Sequence, residues 1–275
     1  MRDIVKYINA QGEEQLFSKN GCLCNTKALR EFLYTVQNKR LYSNQPKTII
    51  VETVFHGTPE ERDRIIDILD YDTVNNTYGR LYVNDWYILC RFVGIHSITK
   101  EGWNNIRLNL EFSANTIEWN KDTFTDFNIP TTASTADADY PIDYPYDYAE
   151  HENPMFVNSE LSTADFILET ELTAEMISAN AISYTITDGA GGTHTYAVNL
   201  TGYTVSTGDK FILNTRDKTV VVIHNGTPVS VFGGASDSSY IFEPLKAGIN
   251  TITGSYSSEV IFTGITHRRT PKWKI

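Results

Sequence analysis

Apolar residues change their spacing several times along the chain, and each change predicts an element. In NTKALREFLYTVQNK (25–39), Leu29, Phe32, Leu33 and Val36 fall on one helical stripe, with Asn25 or Thr26 as the cap. KTIIVETVFHG (47–57) alternates instead and places Ile49, Val51, Thr53 and Phe55 on one face of a strand. TPEERDRIIDILDYD (58–72) returns to helical spacing, with Ile65, Ile66 and Leu69 on its buried face. Its start carries three signals: Thr58 as N-cap, Pro59 at the first helical position, and Glu61 placed to close a capping box. Glu60 and Glu61 also suit the positive end of the helix dipole.

Residues 78–119 read as a train of strands. The runs are RLYV, WYILCRFVGIHSI and NIRLNLEF, with turns at Asn84-Asp85 and Lys100-Glu101-Gly102. A helix laid on such a meander gives an α+β or helix-decorated sandwich arrangement. Between Thr131 and Pro154 the pattern breaks. TTASTADADYPIDYPYDYAEHENP has no aliphatic periodicity and reads as an extended Asp/Tyr/Pro-rich linker with polyproline character. From Met155 onward the chain is a series of short strand-like runs separated by turn residues, the signature of a β-sandwich or jelly roll. The expected fold class is therefore mainly β with short helices. A β-sandwich-like domain occupies residues 1–132, a linker 133–154, and a second sandwich 155–275.

Composition narrows the function classes. The chain has 275 residues and a net charge of −11, which argues against a protein that grips a phosphate backbone. No apolar run approaches the roughly 18–20 residues needed to cross a bilayer. The N-terminus MRDIVKYINAQGEEQ lacks the apolar core of a signal peptide, so synthesis in the cytoplasm is expected. The three cysteines, Cys22, Cys24 and Cys90, have no disulfide-framework spacing, and no second ligand pair accompanies Cys22 and Cys24. No metal and no cofactor is expected. GAGG (189–192) is a loop that lacks the phosphate-binding pattern. Asp137, Asp139, Asp143 and Asp147 do not follow a calcium-loop spacing and read as a solvated acidic linker.

The densest polar stretch is GDKFILNTRDKTVVVIHNG, from Gly208 to Gly226. Asp209, Asn214, Arg216, Asp217, His224 and Asn225 crowd there as an active site would crowd them. The hairpin reading accounts for them better. Thr215–Lys218 forms a loop between two strands, and Asn225-Gly226 is a strong hairpin-turn signal because both residues tolerate positive φ. No nucleophile, base and orienting group can be assembled, so no catalytic residue is assigned. Glu160, Asp165, Glu169, Glu171 and Glu175 alternate with apolar residues or sit near a turn, as a solvated strand face does.

NTRDKTVVVIHNGTPVSVF followed by FEPLKAGINTITGSYSSEVIFTGITHRR resembles the C-terminal domain of siphophage distal tail proteins. Asn214 stands where that family often has Asp, and Ala247 where it often has Pro; both changes are conservative for a turn. The TPEERDRIIDILDYD helix ahead of GRLYVNDWYILCRFVGI resembles the family's belt domain, IRLNLEFSANTIEW the strand that follows, and YPIDYPYDY the linker. The resemblance rests on the order of these motifs and covers most of the chain. It implies a non-enzymatic protein of the virion tail tip or baseplate. An N-terminal belt forms a ring, expected to be a homo-hexamer, and a galectin-like C-terminal sandwich projects from it. The implied partners are the tail tube protein, the tail-associated hub protein and a receptor-binding protein for host attachment. DNA passes the lumen without specific binding, and no membrane is involved.

Closing a ring requires heterologous interfaces. Trp86, Tyr87 and Trp103 stand beside turns of the strand train and are the candidate subunit-interface residues, with packing into their own core as the alternative for Trp86 and Trp103, while Trp119 is assigned to the core. The alternative function is a carbohydrate-binding adhesion module acting at the host surface. Tyr184, Tyr196, Tyr203, Tyr240 and Tyr256 are its candidate aromatics, although residues 155–270 contain no Trp.

Overall fold

The computed structural model describes residues 3–19, 21–39, 47–101, 105–114, 116, 118–129, 154–160, 162–236, 240–268 and 271–273. The expected linker at 133–154 lies outside them except for Pro154, and so do its four aspartates and Trp103. The described chain is mainly β and falls into two compact units. The first comprises Met1–Lys121 with Arg268–Ile275, and the second Asp122–His267.

The first unit contains the strands β1 (Val5–Ile8), β2 (Glu14–Leu16), β3 (Ser18–Lys19), β4 (Cys22–Cys24), β5 (Lys47–His56), β6 (Gly79–Val83), β7 (Trp86–Glu101) and β8 (Asn105–Ala114), and the start of β9 (Trp119–Ile129). They pair antiparallel in the order β3-β4-β5-β8-β7-β6-β1-β2. Helix α1 (Thr26–Lys39) follows β4, and the Asn25 carboxamide oxygen caps it by accepting from the Ala28 N–H at 3.1 Å. Helix α2 (Pro59–Val74) begins with the expected capping box. The Thr58 N–H donates to Glu61 Oε2 at 2.8 Å, and the Glu61 N–H donates to Thr58 Oγ1 at 3.3 Å. Ile65 and Leu69 are buried on α2, and Ile49, Val51, Thr53 and Phe55 on β5, as their spacing requires. Strand β7 runs through Lys100 and Glu101, which pair with Ile106 and Asn105, although a turn was expected at 100–102; Gly102 lies outside the described residues. Register shifts after Phe92 and Ile95 mark bulges that bend β7 midway.

The second unit is a two-sheet sandwich. One sheet has the order β16-β15-β14-β11-β18-β9, built from β11 (Asp165–Glu171), β14 (Lys210–Asn214), β15 (Thr219–His224), β16 (Thr227–Ser230), β18 (Ser258–Arg268) and the remainder of β9. The other has the order β10-β17-β12-β13, from β10 (Met155–Asn158), β12 (Ala181–Asp188), β13 (Thr193–Asn199) and β17 (Gly248–Gly254). Both sheets contribute to one core, where the Phe166 ring stacks on Phe262 at 5.2 Å and meets Tyr196 edge-on at 5.2 Å. The close approach of Phe156 to the backbone requires Gly264, because a Cβ there would lie 2.0 Å from the Phe156 ring. Helix α3 (Ala174–Ala179) interrupts the expected all-β series, with Thr173 Oγ1 accepting from the Met176 N–H at 3.3 Å. At the tip between β15 and β16, Asn225 and Gly226 have φ of 50° and 78°, the left-handed pair that a tight hairpin needs.

Candidate interface surface

Trp86 and Tyr87 follow the two-residue turn Asn84-Asp85, where Asn84 adopts a φ of 56°. Asn84 does more than turn the chain. Its carboxamide oxygen accepts from the Ile4 N–H at 3.1 Å, and its Nδ2 donates to Asp3 Oδ1 at 3.1 Å and to the Lys272 carbonyl at 2.9 Å. Both ends of the described chain are thus tied to the turn that launches β7.

Adjacent residues on a strand point to opposite faces, and the two candidates separate accordingly. Trp86 joins the core of the first unit, only 3% exposed, with the Arg268 guanidinium 5.5 Å and the Lys272 ammonium 5.9 Å from its ring centroid. Tyr87 lies outside that core cluster on the other face, with Arg80 4.6 Å from its centroid and the Tyr82 ring at 5.4 Å. Register places Lys6, Tyr82 and Tyr87 side by side across β1, β6 and β7, and the Lys6 ammonium sits 5.2 Å from the Tyr82 centroid. Arg30 over Trp273 at 5.0 Å and Arg91 over Tyr78 at 3.9 Å extend the set. Among the described residues, every cation–π pair belongs to the first unit. Each such pair contributes about 0.5–1 kcal/mol where exposed. Lone aromatics beside turns were visible in the sequence; the cations over Trp86 were not, because they come from the C-terminal end of the chain, whereas Arg80 over Tyr87 comes from neighbouring β6. Trp119 is core, 1% exposed.

The other candidates resolve into local structure. His224 Nδ1 lies 2.8 Å from Asp209 Oδ2, and its Nε2 lies 2.9 Å from Asn225 Nδ2. Asp209 Oδ2 also accepts from the Ser206 N–H at 2.7 Å, and the His224 hydrogen bond holds its carboxyl below the usual range. Both ring nitrogens of His224 are therefore engaged in tying a hairpin tip to a turn. Asp165 pairs with His267 at 2.9 Å, and Glu169 with Lys210, so the carboxylates of β11 are spread along a strand. The Cys22 and Cys24 thiols are pushed up to about 11 and about 12, and the Cys90 thiol is raised as well, all by burial. No three His, Cys, Asp or Glu among the described residues converge to hold a metal ion. No helix among them is long and apolar enough to cross a membrane. Of the five tyrosines, Tyr184 and Tyr196 are core, Tyr203 and Tyr256 are half-buried and Tyr240 is exposed.

Neither protein-family models nor curated proteins match the chain. Solved structures do. A chain of the phage P2 baseplate, in its activated conformation with Ca, aligns with a TM-score of 0.54 and 12% identity, over 98% of this chain and 100% of that one. The same baseplate with Sr gives 0.53 and 12%, over 98% and 99%. SPP1 Dit, described as a hub adsorption apparatus protein of phages infecting Gram-positive bacteria, gives 0.49 and 14%, over 82% and 80%. The mainly β fold is thus shared with the P2 baseplate chain over 98% of this chain.

Proposed function

We propose that this protein is a non-enzymatic structural component of a phage tail tip. It forms a closed ring of six copies joining the tail tube to the tail-associated hub and to the receptor-binding apparatus. The observation that carries this reading is the fold match over 98% of the chain to a phage baseplate protein, together with the ordered motifs from Thr58 to Arg269. In this reading residues 1–132 act as the ring-forming belt, 133–154 as a connector, and 155–275 as an outward galectin-like sandwich whose last residues, from Arg268, return to the first unit. Trp86, Tyr87 and Trp103 mark the subunit interface. Since Trp86 and Tyr87 are buried within one chain, they act there by holding Arg80, Arg268 and Lys272 in place, and arginine and aromatic residues dominate interface energetics. A net charge of −11 suits a lumen that lets DNA pass without gripping it. The chain needs no cofactor, is made in the host cytoplasm and ends in the virion.

Immunogold electron microscopy of particles carrying this protein tests the assignment. Gold confined to the distal end of the tail is expected. Labelling on the head or along the tail tube overturns it.

A further inference from the structure

We propose that residues 268–273 act as a latch on the first unit, one that opens and closes without unfolding the rest of it. The inference stands apart from the ring: it concerns one chain and holds whatever the assembly.

The first unit is discontinuous in sequence. Met1–Lys121 supply most of it and Arg268–Ile275 the remainder, with the second unit between them. The late piece reaches separate parts of the early one. The Lys272 carbonyl accepts from Asn84 Nδ2 at 2.9 Å, and the Arg268 guanidinium and Lys272 ammonium lie 5.5 Å and 5.9 Å from the Trp86 ring centroid. Pro271 is buried, and Trp273 packs against the core of the first unit. The Trp273 ring also carries the Arg30 guanidinium at 5.0 Å. Arg30 and Asn84 then meet on one carboxylate. Asp3 Oδ2 accepts from Arg30 Nη2 and Asp3 Oδ1 from Asn84 Nδ2, each at 3.1 Å. The Ile4 N–H donates to Asn84 Oδ1 at 3.1 Å. Residues 3–4, helix α1, the turn ahead of β7 and residues 268–273 thus form one joint. Because the second unit lies between its parts, the joint closes only after that unit has been made.

The grip is of a kind that lets go. Pro271–Trp273 belong to no strand or helix, so no ladder of backbone hydrogen bonds runs through them. The contacts to Trp86, Arg30 and Asn84 are cation–π pairs and a hydrogen bond in an exposed position, each weak by itself. Two donors count against the closed state. The Trp273 Nε1–H and the Arg30 Nε–H are buried and have no hydrogen-bond partner among the described residues. Opening the joint returns both to water, which satisfies them. The rest of the first unit is held differently: β5 pairs with β8 from Lys47 to His56, and Asp72 on α2 accepts from Tyr7, Ala10 and Thr77. Local opening at a weakly held segment needs less free energy than unfolding such elements. When the latch is open, Trp86 loses the Arg268 and Lys272 cations, Arg30 loses its ring, and Asn84 loses the Lys272 carbonyl.

Hydrogen-exchange mass spectrometry of the full-length protein tests the latch. Trp273→Ala is expected to speed exchange about tenfold in residues 3–9 and 84–90, far away in sequence, and to leave helix α2 (59–74) within about twofold of the wild type. Trp273→Phe keeps a ring for Arg30 and is expected to lie close to the wild type. Asn84→Gly keeps the left-handed turn but removes the carboxamide. It is expected to speed exchange in residues 271–275 in return, because coupling between two sites is reciprocal. Unchanged exchange in residues 3–9 of Trp273→Ala overturns the proposal. So does an equal acceleration in α2, which would make the latch part of one cooperative body, or an Asn84→Gly variant whose residues 271–275 exchange as in the wild type.

Discussion

In the first unit the buried polar groups include two carboxylates, Asp3 and Asp72. Among the described residues of the second they are Asn158, Thr170, Thr215, Asn250, Ser258, Thr263 and Thr266, all neutral amides and hydroxyls. Asp72 accepts from the Tyr7 hydroxyl at 2.7 Å, the Ala10 N–H at 3.1 Å and the Thr77 hydroxyl at 2.6 Å. Asp3 accepts from Arg30 and Asn84, each at 3.1 Å. The cation–π pairs follow the same division. The first unit thus buries carboxylates in directional contacts between distant segments, whereas the second keeps its ion pairs, such as Glu169 with Lys210 and Asp209 with His224, part-exposed and packs aromatic rings between its two sheets. Directional contacts fix geometry; stacked rings give stability without fixing partners.

The chain offers separate probes for this comparison. All four tryptophans and all three cysteines lie in the first unit, so fluorescence and thiol labelling report on it alone. The largest effect is expected from Phe262→Ala, which removes a fully buried ring from the second core and costs about 3–5 kcal/mol. Circular dichroism is expected to show an early loss of β-structure in denaturant while the tryptophan transition stays in place. Asp72→Ala strips three donors of their acceptor and is expected to cost about 3 kcal/mol, this time in the tryptophan transition. A simultaneous shift of both probes by either variant would show the two units to be one cooperative body.

Thiol chemistry sharpens the same point. With Cys22 pushed up to about 11 and Cys24 to about 12, native thiolate at pH 8 is scarce, at most about one in a thousand. Iodoacetamide labelling is expected to accelerate about a hundredfold when the first unit unfolds, and to stay slow in Phe262→Ala. Thr58→Ala breaks the capping box and is expected to cost about 1 kcal/mol, again only in the tryptophan transition. The smallest effect concerns Asp209. Its carboxyl is held below its ordinary value by His224, so its contribution is complete above about pH 4 and is lost as pH falls through the lower folded value. Asp209→Asn is therefore expected to lie slightly below the wild type in thermal stability at neutral pH and to converge with it in acid.

Where the decisive chemistry is local, the sequence was readable. Thr58 and Glu61 are three residues apart, Asn225 and Gly226 adjacent, and the alternation of β5 lies within ten residues. Strand β9 was not legible: Asp122, Thr123, Asp126 and Asn128 scatter polarity along it, and its pairing comes from β7 and β18, far away in sequence. Helix α3 is only six residues long, too short for periodicity to show, although Thr173 with Glu175 after it was a usable cap signal. Trp86 and Tyr87 were read as a pair, yet strand geometry sends them to opposite faces. Residues near 180, 199 and 234 line one surface cleft, and no local pattern connects them.

The first unit is proposed to build a ring. The most direct test is negative-stain electron microscopy of the full-length protein, with its mass measured in parallel by light scattering. Closed six-fold rings with an open centre, and a mass of six chains, are the predicted result. A well-folded chain that remains a monomer at every concentration, alone and when mixed with the tail tube protein, would contradict it.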